Sequence, residues 1–212
     1  MKRSILAFLA TVLMFSLACS FFDDDVTNVT YETGVPFDIN VSADALCPPS
    51  EDCTGEVGTA PQEAELLPIE FDVQIDVVEA TGRSELAQYA GNFRSVEITS
   101  IEYVVSDNDL NFALPPTTIF VGPQGATSTT GPGVVELATI PAVPAGTNPT
   151  GAAPVEDANR SAAGEEFKKL KFSAIPFSQP VIAEGEPFPP RGTARMQVKV
   201  NLKLEANPAD AL

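Results

Sequence analysis

Strict alternation of apolar and polar side chains marks two segments of the chain, residues 69–78 and 195–204. The polar positions of the first segment are acidic or amide residues, and those of the second are basic or amide residues. A period of two places successive side chains on opposite faces of a β-strand. Each segment is therefore predicted to be a strand with one buried face and one face in water.

Other apolar runs, bounded by turn-forming residues, predict further strands. They are residues 35–41, 93–105, 117–121, 134–140, 171–175 and 181–183. The alternation in 93–105 slips between Ile98 and Ile101. This slip predicts a β-bulge in one long strand, or two strands that meet there.

Helical patterns are few and short. Residues 84–90 predict one or two turns, with Ser84 as the cap and Gly91 as the stop. Residues 160–170 predict a second short helix, capped by Ser161.

The order of these elements predicts an all-β fold. Residues 42–67 and 141–159 are rich in turn-forming residues and predict long loops. Many short strands with little helix are typical of an antiparallel β-sandwich of the immunoglobulin-like or Greek-key type. We expect one sandwich domain over 26–205, with one or two short helices and long Pro/Gly-rich loops, followed by a tail of residues 206–212.

The N-terminus has the composition of an export signal. Lys2 and Arg3 precede residues 5–18, which carry no charge, and small Ala18 stands before Cys19. A basic start, an apolar core and a small residue at the cleavage point are typical of a secretory signal peptide.

Ser16-Leu17-Ala18-Cys19 resembles the lipobox of bacterial lipoproteins. The resemblance implies that residues 1–18 are a signal peptide and that Cys19 carries lipid, palmitate included, on a tether of residues 19–25. More than one acyl chain gives a stable anchor in the lipid bilayer. Ser20 after the cysteine implies the outer membrane where the host has two membranes.

Two other interpretations of this segment stay open. Residues 5–22 are just long enough to form an uncleaved membrane helix. Cys19 could also be an ordinary thiol that follows a plain secretory signal.

The charge balance narrows the choice of partner. The chain has 29 acidic and 12 basic residues. Removal of residues 1–18 takes away two basic residues and no acidic one, which leaves 10 against 29 and a formal charge of −19. Such a surface repels nucleic acid and anionic lipid headgroups.

The charges are also unevenly distributed along the chain. Acidic residues crowd the first half, whereas basic residues outnumber acidic ones between Arg160 and Leu204. Opposite charges on neighbouring strands stabilise a sheet. We therefore predict that residues 69–78 and 195–204 are neighbours in one sheet and that their apolar faces share one core.

The three cysteines fit an exported protein. If Cys19 is lipidated, Cys47 and Cys53 remain as a pair, and such a pair outside the cytoplasm is expected to be oxidised. The alternative for this pair is a metal site, which would need carboxylates because the chain has no histidine.

The absence of histidine also restricts catalysis. It removes Ser–His–Asp and Cys–His nucleophilic systems and the usual general base at neutral pH. No glycine-rich phosphate loop is present either, since Gly122-Pro123-Gln124-Gly125 lacks the Gly-Lys-Ser/Thr ending. The sequence predicts a protein that is not an enzyme and needs no cofactor.

One short motif carries possible metal chemistry. Asp107, Asp109 and Asn111 alternate in the way that begins a calcium loop, but Phe112 and Thr118 stand where an EF-hand needs Gly and Glu. Aspartate and asparagine are also the expected residues of a turn after a strand. We take the turn as the first interpretation and calcium as the alternative.

These observations predict a non-catalytic lipoprotein of the cell envelope with a β-sandwich module that has a binding or structural role. Its partner would be an unknown envelope protein or glycan. The alternatives are a calcium- or glycan-dependent adhesion module and a hydrolase that acts on envelope polymers.

Overall fold

The computed structural model describes residues 28–155 and 157–211. The predicted signal peptide (residues 1–18), Cys19 with its predicted lipid, and the whole predicted tether (residues 19–25) lie outside these residues. The strands, in chain order, are β1 (Val29–Ser42), β2 (Gly58–Thr59), β3 (Ala64–Glu65), β4 (Ile69–Glu70), β5 (Val73–Asp76), β6 (Ser95–Ser106), β7 (Thr117–Pro123), β8 (Val135–Ile140), β9 (Thr150–Ala153), β10 (Lys171–Ser178), β11 (Val181–Ile182), β12 (Pro187–Phe188) and β13 (Thr193–Ala206).

Helix is a minor component of the described residues. Two short α-helices lie within residues 28–155 and 157–211, α1 (Val77–Thr81) and α2 (Arg160–Lys168). Three 3₁₀ helices cover Ala43–Leu46, Ser84–Tyr89 and Pro208–Ala211. Within the described residues, we find no helix with the length and apolar character that crossing a bilayer requires.

Two antiparallel sheets form the sandwich. The front sheet has the strand order β1-β13-β6-β9, and the back sheet has β10 between β7 and the short strands β4 and β5, with β8 beyond β7. Both sheets contribute side chains to one hydrophobic core. The predicted all-β, antiparallel β-sandwich is thereby confirmed.

The front sheet follows the alternation that the sequence shows. Every even-numbered residue of β13 from Ala194 to Ala206 is buried, and the odd-numbered residues between them are not. The predicted slip in the 93–105 segment is confirmed as an irregularity in the β13–β6 register, where Asn201 pairs with Ser100 but Leu202 pairs with Ile98. Thr99 is therefore the extra residue of a β-bulge.

The sandwich has two distinguishable ends. Val29 pairs with Ala206 at one end of the front sheet, which we call the N-terminal end. Ser42 pairs with Thr193 at the other, which we call the far end. The 14 residues of β1 separate the two ends by about 45 Å, at roughly 3.3 Å per residue.

The predicted pairing of residues 69–78 with 195–204 is wrong. β13 lies in the front sheet between β1 and β6, whereas β4 and β5 pair with β10 in the back sheet. Basic residues of β13 instead meet acidic residues of their own sheet: Arg195 lies 2.7 Å from Asp38, and Lys199 lies 4.0 Å from Glu102. Because acidic residues occur on nearly every early strand, charge alone did not identify the neighbour.

The shared core that accompanied this prediction is present. Ile75 and Leu204 are both buried in one cluster, and Phe71 and Val73 pack against it. Two strands can share a core across a sandwich without sharing a sheet.

Several predicted boundaries also change. Residues 69–78 are interrupted after Glu70 and end in α1, because Asp76 caps a helix there instead of continuing the strand. Ser84 and Ser161 do not act as N-caps, since the helices begin at Ser84 itself and at Arg160.

The predicted loop 141–159 contains β9, which the sequence did not indicate. Its residues Thr-Gly-Ala-Ala have no apolar alternation. The strand forms because β6 offers a free edge, and Ile101 to Val104 pair with it.

Candidate functional site

Loops from three distant parts of the sequence meet at the far end of the sandwich. They are the loop closed by the two cysteines, the turn of residues 107–111, and residues 189–193, which lead into β13. The order β1-β13-β6 brings them together, since Ser42, Thr193 and Ser106 lie at the same end of these strands.

Cys47 and Cys53 form a disulfide, as predicted, with their Cα atoms 6.3 Å apart. Arg191 holds the same loop from outside. Its Nη1 donates a hydrogen bond to the carbonyl oxygen of Cys53 at 2.6 Å, and its Nη2 donates to that of Gly55 at 2.8 Å. The loop is therefore held by a covalent bond and by a planar guanidinium group that donates hydrogen bonds to two carbonyls.

The three residues of the calcium motif lie in a turn at this end. The Asp109 carboxylate accepts hydrogen bonds from the backbone amide and the hydroxyl of Thr193. Asn111 accepts from the amide of Arg191 at 2.8 Å and donates to the carbonyl of Pro189 at 3.0 Å. Asp107 has a left-handed backbone with φ of 51°.

Two of the predicted ligand oxygens are thus engaged with backbone and hydroxyl donors. Within the described residues, no set of three or more cysteine, aspartate or glutamate side chains is arranged to hold a metal ion. The turn interpretation describes what Asp109 and Asn111 do here, and calcium binding stays a prediction.

Gly192 is required by this arrangement. Its φ is +95°, and a Cβ at this position would lie 2.3 Å from the carbonyl oxygen of Asp109. A side chain would therefore force the turn and the 189–193 segment apart.

Sequence reasoning missed Asn108, which is the most connected polar residue of the turn. The residue is buried, with 7% of its surface exposed. Its Nδ2 donates to the carbonyls of Thr147 at 2.7 Å and Pro144 at 3.3 Å, and its Oδ1 accepts from the amide of Leu110. Asparagine in a turn is common, so no signal in the sequence separated Asn108 from its neighbours.

A cavity of about 550 Å³ lies beside the disulfide loop. Asp44, Glu51 and Asp52 line it together with Arg191. Hydrogen bonds from the Thr54 hydroxyl and amide lower the pKa of the Asp52 carboxyl. Three carboxylates against one guanidinium give the lining of this hollow a net negative charge.

The whole far end is acidic. Residues 43–67 contain six acidic residues and no basic one, and residues 179–192 contain Glu184 and Glu186 against Arg191. With Asp107 and Asp109, these segments bring ten acidic residues and one basic residue to this end. A surface of one sign repels anionic partners and attracts cationic ones.

The fold and this end define an antiparallel β-sandwich whose far end carries a disulfide-closed, acidic loop cluster. No protein-family model and no curated protein matches the chain. Among solved structures, it is similar to desmodium yellow mottle tymovirus, with 12% identity, a TM-score of 0.27 and coverage of 84% of this chain and 83% of the other.

Turnip yellow mosaic virus is a second similar structure, at 14% identity and a TM-score of 0.31, with coverage of 84% and 82%. The BFDV capsid protein is a third, at 8% identity and a TM-score of 0.32, with coverage of 85% and 96%. Values this low assign neither a family nor a function.

Proposed function

We propose that this chain is a lipid-anchored, non-catalytic β-sandwich protein of a bacterial cell envelope, held to a membrane through Cys19. The observation that carries the proposal is the uncharged run of residues 5–18 that ends in Leu17-Ala18-Cys19. Its basic start and small cleavage residue are those of an export signal.

The disulfide supports export to an oxidising compartment. Cys47 and Cys53 are bonded, which leaves Cys19 as the single cysteine outside the bridge. Disulfides of this kind persist outside the cytoplasm and are rare within it.

The geometry supports a module that presents its far end to a partner. The tether joins the domain at Val29, at the N-terminal end, so the disulfide loop is about 45 Å further along the front sheet. The acidic far end would also be repelled by an anionic membrane surface. Both effects favour an orientation in which the far end points away from the lipid.

The non-catalytic part of the proposal is based on chemistry. The chain has no histidine, and its shifted carboxyl groups are explained by local hydrogen bonds. A hydrogen bond from Lys171 lowers the pKa of Asp76, and one from Arg83 lowers the pKa of Glu85. These are structural ion pairs at the surface and need no catalytic role.

Membrane fractionation tests the proposal. The wild-type chain and a Cys19→Ser variant would be expressed in a bacterium with a lipoprotein-processing pathway, and the membrane and soluble fractions would be assayed for each. We expect the wild type to be in the membrane fraction and to carry acyl label, and we expect the Cys19→Ser variant to carry no acyl label. A Cys47→Ser/Cys53→Ser double variant is the matched control and should remain in the membrane. Equal acyl labelling of wild type and Cys19→Ser would contradict the proposal.

A further inference from the structure

Strand pairing joins the two sheets along one side of the sandwich. Along the other side, which we call the open side, no strand pairing joins the sheets within the described residues, and α1 packs against β1. On the closed side, Ala138 of β8 forms a β-bridge with Val155, just beyond β9. On the open side, and among the described residues, β1 pairs only with β13 and β5 pairs only with β10. Two edge strands from different sheets therefore flank the opening.

A cleft of about 320 Å³ lies between these edges. Residues 36–38 of β1 form one wall and Val73–Asp76 of β5 form the other. Phe37 and Ile75, each 6% exposed, provide an apolar floor, and Ala80 of α1 lies at one end.

Backbone groups on both walls point into the cleft. In an antiparallel strand, successive residues direct their N–H and C=O groups to opposite sides. The carbonyl of Glu32 accepts from Arg83 instead of from β13, so even-numbered residues of β1 face the open edge. Pro36, which has no N–H, and Asp38 are among them.

The same reasoning applies to β5. The amide of Val77 donates to the carbonyl of Leu170, just beyond the Asp76–Lys171 pair, so odd-numbered residues face β10. Gln74 therefore turns its N–H and C=O toward the cleft. Unpaired groups of this kind are the template for strand addition.

The rim carries negative charge. Asp38 and Asp76 are each paired with a cation, Arg195 and Lys171. Glu79 is exposed at the rim and forms no ion pair with another described residue. The chain as a whole has 29 acidic and 12 basic residues. An occupant with basic side chains matches this rim.

We propose that this cleft binds a short extended segment of a partner protein, with alternating apolar and basic residues, as an added β-strand. Three or four residues fit its length, because the walls span about 10–13 Å at roughly 3.3 Å per residue. Apolar side chains of the segment would contact Phe37 and Ile75, and its backbone would pair with Asp38 and Gln74. The proposal does not depend on the lipid anchor.

A peptide titration tests this proposal on the full chain in detergent. The probe is fluorescein-labelled Val-Lys-Val-Lys-Val amide, and binding is followed by anisotropy. We expect saturable binding that weakens at least about tenfold when the peptide backbone is N-methylated, because its side chains are unchanged but its N–H donors are lost. Replacement of both lysines by glutamate should also weaken binding.

Two variants locate the binding. Ala80→Trp should fill the end of the cleft and weaken binding at least about tenfold, while Ala152→Trp, on exposed β9 at the other side, should leave it unchanged. Loss of saturable binding only with Ala80→Trp supports the cleft. The proposal is overturned if the probe does not saturate, if the N-methylated peptide binds as well, or if Ala80→Trp has no effect. Since the measurement needs no lipid on Cys19, its failure leaves the proposed anchor untouched.

Discussion

Asn108 shows how one buried polar side chain holds the far end together. It joins the 107–111 turn to the 144–148 loop through two carbonyls, and the amide of Asn108 donates to the Asn148 side chain at 3.1 Å. The backbone N–H and the side-chain amide of Asn108 therefore both have hydrogen-bond partners within the protein, as buried polar groups require.

Replacement of Asn108 by alanine should lower the free energy of unfolding by about 1–3 kcal/mol, because it removes the Nδ2 donor from the Thr147 carbonyl and the Oδ1 acceptor from the buried Leu110 amide. Urea denaturation would measure the change. Asn40→Ala, at an exposed position of β1, is the control and should shift the midpoint little. An Asn108→Ala variant as stable as the wild type would contradict the role assigned to this side chain.

Asp76 links α1 to the back sheet. Its carboxylate accepts from the amides of Val78 and Glu79 and lies 3.0 Å from Lys171 Nζ. The Lys171 ammonium, aided by these amides, holds the pKa of Asp76 below its ordinary value. A carboxyl whose pKa is lower in the folded than in the unfolded chain stabilises the fold above the unfolded pKa of about 3.9.

That stabilisation should be lost as pH falls from about 4 through the lower pKa of the folded state. Asn can still cap α1 but has no charge, so an Asp76→Asn variant should lose less stability than the wild type between pH 7 and pH 3. Thermal melts at both pH values would measure the difference, with Glu65→Gln, at an exposed position of β3, as the control. If the wild type and Asp76→Asn lose equal stability between pH 7 and pH 3, the Asp76 carboxylate does not contribute to the pH dependence as proposed.

Among the elements, the disulfide loop combines two restraints of different kinds. The bridge closes a seven-residue loop, Cys47 to Cys53. Arg191 holds the C-terminal end of this loop through the carbonyls of Cys53 and of Gly55, just beyond it. Chain entropy predicts a stabilisation of about 2 kcal/mol for a loop of this length.

A Cys47→Ser/Cys53→Ser double variant should therefore have a free energy of unfolding about 2 kcal/mol lower than that of the wild type, as measured by guanidinium chloride denaturation. Ser50→Ala, within the same loop, is the matched control and should change little. The sandwich should still form, because Arg191 and the core remain. A double variant with unchanged stability would show that the bridge does not restrain the unfolded chain as proposed.

Element prediction from the sequence succeeded where one face of a strand is buried and the other is wet. β13 and the bulge opposite Asn201 followed from alternation and its slip. It failed where neighbours decide the structure. β9 has no alternation and forms because β6 offers an edge, and β10 is buried on both faces, so its length to Ser178 was not visible from a pattern of period two.

The candidate site was predictable in its parts but not in its assembly. Cysteine parity predicted the Cys47–Cys53 bridge, and residue type predicted the turn at Asp107. Arg191 carried no local signal, because its role depends on carbonyls more than 130 positions away in the sequence. Only the strand order β1-β13-β6 brings these pieces to one end.

At the scale of the whole molecule, the N-terminus of the domain and the acidic loops lie at opposite ends of the sandwich. The chain enters the fold at the N-terminal end, beside Ala206, and the acidic loops occupy the far end. Most basic residues of the back half are held in ion pairs along the sheets and α2, including Lys168 with Glu165 and Lys169 with Glu166. An anchored domain of this design would present an acidic surface to its partner.

Intact mass spectrometry of the protein extracted from bacterial membranes tests the central claim most directly. The account predicts a mass equal to residues 19–212, less two hydrogens for the Cys47–Cys53 bridge, plus the mass of more than one acyl chain, with fragmentation placing the lipid on Cys19. A chain that retains Met1 and carries no acyl mass, or one that begins at Cys19 with a free thiol, would contradict it.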